Sequence, residues 1–197
     1  MKALIVYSHP TGKPFSYNVK ILDEVTAILS KRNYDIMIRD LYKINFNPIL
    51  SSTDFDSFHR GLIPKDIQTE QAYITEADLI LFISPIWWAS FPAILKGYFD
   101  RVFAHGFAYQ GETDGSVTKK LISKKGIFIN TFGNSTNNYE QSGMIEAFNH
   151  TMDQGIFEFT GIEPIGHITF GDTNIISEDV ISKINSELEN KLPDILS

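Results

Sequence analysis

The sequence predicts a doubly wound α/β fold: a five-stranded parallel sheet in the order 2-1-3-4-5, with helices on both faces, as a single domain over residues 1–197. Three observations carry this. Five short apolar runs rich in β-branched residues are separated by longer stretches whose apolar residues recur at helical spacing. The intervals, roughly 25–45 residues, are too long for hairpins and suit crossovers between parallel strands. Right-handed crossovers most simply give that order, which puts a switch point between the first and third strands and a ligand site outside their carboxyl ends.

The elements follow in turn. Residues 3–7 (ALIVY) form the first strand, and Ser16 caps a helix to about Lys31 whose Ile21, Leu22, Val25, Ile28 and Leu29 share one side. Residues 35–38 (DIMI) form the second strand, residues 64–75 a helix, and residues 79–83 (LILFI) the third strand. Pro92 suits the first turn of a helix that packs Ile94, Leu95, Tyr98, Phe99, Val102 and Phe103 on the sheet and turns Lys96, Asp100 and Arg101 away. Residues 126–131 (GIFINT) and 165–170 (IGHITF) form the last two strands. Ser177, followed by Glu178 and Asp179, starts a dipole-matched helix with Val180, Ile181, Ile184, Leu188 and Leu192 as its apolar stripe.

Composition removes several classes of function. The formal net charge of -7 gives no basic field for a nucleic acid. Cysteine is absent, which excludes disulfides, thiolate catalysis and Cys-ligated metals. The histidines His9, His59, His105, His150 and His167 show no metal-ligand spacing; His9 aside, they read as structural or surface residues. No apolar run approaches a membrane span, and the N-terminal run is too short for a signal segment, so a cytoplasmic location without membrane insertion is expected. G-x-S-x-G, G-x-G-x-x-G and the P-loop pattern are all missing.

Three loops meet at the switch point. Residues 8–15 lead into a helix N-terminus, where free N–H groups favour an anion, with His9 and Ser16 adding donors. Residues 84–91 (SPIWWASF) carry Trp87 and Trp88, large rings in a place that normally holds small polar residues. A planar heterocycle stacking there explains them, and so does an apolar interface. Residues 132–141 (FGNSTNNYEQ) crowd amides, hydroxyls and Tyr139 together, neutral donors suited to a ring edge that gains electron density.

Residues 91–109, FPAILKGYFDRVFAHGFAY, together with KALIVYSHP, LYKINFNPIL, EADLILF and TFGN leading to Tyr139, resemble the flavodoxin-like NAD(P)H dehydrogenases of the quinone-reducing, DT-diaphorase and drug-activity-modulator type. The resemblance implies a bound flavin, FAD or alternatively FMN, with NAD(P)H as co-substrate. It assigns the flavin phosphate to His9, Phe15 and Ser16, the ring to Pro85, Ile86, Trp87 and Trp88, and further flavin contacts to Thr131, Phe132, Gly133 and Asn134. Tyr139 takes the place of a tyrosine that stabilises charge on the reduced ring, but the histidine expected six residues on is Ile145. The implied activity is ping-pong hydride transfer through flavin N5 to a quinone-like acceptor by a homodimer, with the segment around residues 98–109 at the dimer contact. An electron carrier of flavodoxin type and a flavoprotein regulatory subunit of a potassium-efflux transporter are the alternatives.

Overall fold

A computed structural model describes residues 1–10, 16–174 and 177–196. In chain order the elements are β1 (Lys2–Tyr7), α1 (Tyr17–Lys31), β2 (Asp35–Asp40), α2 (Ser52–His59), α3 (Lys65–Glu76), β3 (Leu79–Pro85) and α4 (Ala93–Val102). They continue with β4 (Tyr109–Gly111), β5 (Val117–Lys119), β6 (Lys125–Thr131), α5 (Thr136–Gln141), α6 (Met144–Phe148), a π-wound extension of α6 (Asn149–Glu158), β7 (Glu163–Phe170) and α7 (Glu178–Ile195).

Strands β2-β1-β3-β6-β7 form one parallel sheet in the expected order. β3 is buried along its whole length, and the apolar residues of β1 and β6 are buried too, as continuous apolar runs in a parallel sheet require. Side-chain alternation splits the core into two layers. Ile5, Leu81, Ile83, Ile127 and Ile129 pack with Ile21, Val25 and Leu29 of α1 and Ile184, Leu188 and Leu192 of α7. Leu4, Val6, Ile80, Phe82 and Phe128 pack on the other face with Leu95, Tyr98, Phe99 and Val102 of α4 and with Met152 and Phe157 of the π-wound segment.

Local chemistry sets the helix starts. Ser16 accepts the Asn18 N–H at 3.2 Å and Ser177 accepts that of Val180 at 3.3 Å, so both expected caps are in place. Ser51 and Asp54 form a reciprocal capping box on α2, a helix the apolar spacing did not signal.

One expectation on α4 needs correction. Arg101 was placed on the solvent side of α4 but is 3% exposed. Its guanidinium pairs with Asp54 of α2 (3.0 and 3.1 Å) and Asp66 of α3, and donates to the Asn47 carbonyl at 2.9 Å, so two carboxylates and a carbonyl from three neighbouring segments turn that face inward. Tyr98, Phe99 and Phe103, expected on the sheet side of α4, are buried in the chain's own core, packed around Phe82 and Phe128. The α4 helix also approaches the preceding segment closely: a Cβ on Gly97 would lie 2.1 Å from the Pro48 carbonyl oxygen, so only glycine fits there.

Candidate functional site

At the carboxyl end of the sheet the ends of β1, β3, β6 and β7 surround a cleft of about 370 Å³. It is lined by His9 after β1, Pro85, Ile86 and Trp87 at the end of β3, and Thr131, Phe132 and Gly133 at the end of β6. Ser16, Tyr17 and Asn18 at the start of α1 and Thr173 and Asn174 after β7 complete it. The position is that of a doubly wound sheet's ligand site, beside the switch between β1 and β3.

Hydrogen bonds hold the walls in register. The Ile86 N–H donates to the Thr131 carbonyl at 2.7 Å, tying the end of β3 to that of β6. Asn18 Nδ2 donates to Thr131 Oγ1 at 2.8 Å, which docks the first turn of α1 on β6. The loop after β7 clasps the loop after β6: Thr173 Oγ1 donates to the Phe132 carbonyl at 3.0 Å, and Asn174 Nδ2 donates to the Gly133 carbonyl at 2.6 Å. Gly133 is needed for that contact, since a Cβ there would meet Asn174 Oδ1 at 2.0 Å.

The tryptophan loop is a tight turn. Trp87 and Ser90 exchange both backbone hydrogen bonds, at 2.9 and 3.1 Å, and the intervening Trp88 and Ala89 have φ of 50° and 57°. Two consecutive left-handed residues without glycine are strained, by about 1–2 kcal/mol each. This turn sends the two rings apart. Trp87 lines the cleft with its ring centroid 6.3 Å from that of His9, while Trp88 projects fully into solvent.

The cleft's polar groups are donors at one end and an unmet acceptor at the same place. The α1 N-terminus turns the positive end of its dipole towards the cleft, with Ser16, Tyr17 and Asn18 in the lining. Asn18 is 3% exposed and its Oδ1 has no hydrogen-bond partner among the described residues, a buried acceptor that a hydroxyl-bearing ligand would satisfy. A helix start that favours an anion, a buried amide oxygen and a flat aromatic wall thus share one cleft.

Of the residues expected from sequence, the structure brings together His9, Ser16, Pro85, Ile86, Trp87, Thr131, Phe132 and Gly133. Phe15 lies outside the described residues. Trp88 does not line the cleft, and neither does Asn134, whose Oδ1 instead accepts from Ser135 N and Asn138 Nδ2. Tyr139 sits on α5 rather than in an open loop; it is not in the cleft lining, but its ring stacks at 4.4 Å on Phe132, which is. Tyr17, Asn18, Thr173 and Asn174 were not anticipated. The strand order could have signalled the last two, because the loop after the fifth strand leaves at the same end as the other three.

Among the described residues no group of His, Asp or Glu is placed to hold a metal ion, and no helix is long and apolar enough to cross a membrane.

Fold and cleft define a doubly wound α/β protein with a ligand-sized cleft at its switch point. A family model for the flavodoxin-like fold matches residues 1–192. An uncharacterized NAD(P)H oxidoreductase of Haemophilus influenzae is 39% identical over 178 residues, covering 90% of this chain and 87% of the relative. The rat NAD(P)H dehydrogenase [quinone] 1 is 31% identical over 184 residues, which cover 82% of this chain but 65% of the rat protein's length. Among solved structures, an NAD(P)H:quinone oxidoreductase from Methanothermobacter marburgensis superposes with a TM-score of 0.88 at 24% identity, over 100% of this chain and 98% of that one. An FMN-dependent NADH-azoreductase from Bacillus anthracis, solved with FMN, superposes with a TM-score of 0.78 at 18% identity over 100% of both chains; these two structures show the shared fold. The chain belongs to the flavodoxin-like NAD(P)H dehydrogenase (quinone) family and is an oxidoreductase.

Proposed function

We propose that this chain is a flavin-dependent NAD(P)H:quinone oxidoreductase built as one flavin-binding domain and working as a cytoplasmic homodimer. The observation that carries the flavin reading is the buried Asn18 Oδ1 without a partner, between the anion-favouring start of α1 and the flat wall of Trp87. The names of the rat and Haemophilus relatives support NAD(P)H as donor and a quinone as acceptor. The flavin, when bound, supplies two-electron hydride exchange between a nicotinamide and a quinone-like acceptor.

The chain's own residues do the rest. The first turn of α1, with His9 and Ser16, binds the phosphate; Asn18 accepts from a hydroxyl of the sugar-like chain; Trp87, Pro85 and Ile86 hold one side of the ring. Backbone N–H groups near Gly133 and Asn134 and the Tyr139 hydroxyl bear on charge at the ring edge, without the imidazole that Ile145 replaces. Trp88, strained and exposed, is left free to face an acceptor or the neighbouring subunit.

The test is an absorption spectrum of the purified protein before and after anaerobic NADH or NADPH, with the released cofactor identified by mass. Visible flavin bands that bleach on addition are expected, and the mass separates FAD from FMN. A colourless protein that takes up neither added flavin overturns the reading. Trp87→Ala should weaken FMN binding about tenfold through the lost stacking surface. In the same traces Tyr139→Phe should slow reduction, and an unchanged rate removes its hydroxyl from the reaction.

A further inference from the structure

Behind the cleft's walls runs a polar row that the proposed function leaves unused. Ser84 of β3 lies beside Asn130 of β6, His167 of β7 reaches Asn130 diagonally from two residues before its partner Thr169, and Asp153 of the π-wound segment closes the row. Ser84 and Asn130 are fully buried, the side chains of His167 and Asp153 are 7% and 14% exposed, and the His167 ring packs on Phe128. A polar row inside an apolar layer is costly unless every group is paired, so its pairing is informative.

The directions of the hydrogen bonds follow from one carbonyl. Asn130 Nδ2 donates to the Ser84 carbonyl oxygen at 3.1 Å and to Ser84 Oγ at 3.0 Å. A carbonyl only accepts, so the amide nitrogen faces β3 and Oδ1 faces β7. There Oδ1 meets His167 Nε2 at 2.9 Å, and that nitrogen must carry a proton. On the other side Nδ1 lies 3.0 Å from Asp153 Oδ2, and a proton lies on this contact as well. Asp153 Oδ1 has no partner, which leaves His167 as the sole hydrogen-bond partner of that carboxyl among the described residues. The ring is therefore clamped at both nitrogens, and Asn130 has one orientation.

Ser84 and Asn130 are register partners, and the next pair along is Pro85 and Thr131, both in the cleft wall. We propose, resting on the flavin reading above, that His167 and Asp153 are positioning residues. By fixing the Asn130 amide they lock the ends of β3 and β6 together and set the distance between the Pro85–Ile86 wall and the Thr131–Phe132 wall. An amide does not readily pass a proton along, so the row transmits geometry and is no proton relay.

The experiment compares wild type with His167→Leu and with the double variant His167→Gln/Asp153→Asn, which rebuilds the row from neutral amides. Two things are read: FMN affinity of the flavin-free protein, and the ¹H–¹⁵N signals of the Asn130 side chain and of the Ile86 and Phe132 backbones. His167→Leu leaves Asn130 Oδ1 without its donor; its amide signal and the two wall signals should move, and FMN should bind about tenfold more weakly. The double variant should bring the signals back and restore affinity to within about threefold of wild type. A merely structural loss would not be repaired by two further polar changes. Unmoved Ile86 and Phe132 signals with unchanged FMN affinity in His167→Leu overturn the proposal, and so does a double variant that restores neither. Should wild type bind neither FMN nor FAD, the flavin reading fails, and the wall signals alone decide the row: movement in His167→Leu with recovery in the double variant upholds it, and stillness refutes it.

Discussion

Arg101→Met is expected to destabilise the protein by about 3–5 kcal/mol, because it strips a buried carboxylate of its counter-ion. Asp54 is 4% exposed, and besides Arg101 its partners are the Ser51 backbone and hydroxyl. The Arg101 hydrogen bonds hold its carboxyl below the usual carboxylate range against the opposing effect of burial. A depressed value means that the pair's contribution is present above about pH 4, the unfolded value, and is lost as pH falls through the folded one. In the variant, burial acts without that counterweight and favours the neutral carboxyl, so acidification relieves the strain. Denaturant titrations should therefore show the gap between the two proteins narrowing as pH is lowered through about 4. A gap that stays constant or widens would mean that Asp54 is not the group left unpaired. Asp66, the other carboxylate on Arg101, is half exposed and regains water, which makes it a minor contributor. Adding Asp54→Leu to Arg101→Met should recover much of the loss, since a buried pair exchanged for apolar side chains is often neutral.

The same arginine shows where reading from sequence stops. The three central strands were legible as runs that a doubly covered parallel sheet buries, the part-buried edge strands by their β-branched and apolar content, and the caps Ser16 and Ser177 because their partners lie two or three residues away. Arg101 was misplaced because what pulls it inward, Asp54 and the Asn47 carbonyl, lies about fifty positions upstream. Helix α2 was missed for a related reason. Its one fully buried side chain is the aspartate of its own capping box, so it has no apolar stripe to detect.

The candidate site divides along the same line. Residues at strand ends, such as Pro85, Ile86, Thr131 and Phe132, follow from strand positions and the winding order. Which tryptophan faces the cleft does not, since the left-handed pair Trp88 and Ala89 decides it. His167 read as one structural histidine among several; its neighbours in the row come from two other strands and a helix, and no spacing links them.

Asn18→Asp should separate fold from function at the cleft itself. Asn18 is the second residue of α1, and its amide donates to Thr131 Oγ1, a hydroxyl that can turn and donate to a carboxylate in its place. A negative charge in the first turn suits the helix dipole, which offsets part of the cost of burying it, so melting temperature should fall by less than in Arg101→Met. Binding of an anion is another matter. A phosphate held by the same turn would face the new charge at roughly 5 Å, a repulsion of about 3 kcal/mol at an effective dielectric of about 20. FMN affinity should fall on the order of a hundredfold, less so at high salt. Riboflavin has the same ring and hydroxyls without the phosphate, and should lose far less. Equal losses for FMN and riboflavin would place the phosphate away from α1 and leave Asn18 with the ring or its side chain. A selective loss of FMN would put the phosphate at the start of α1 and, given the cleft's width, the ring against Trp87.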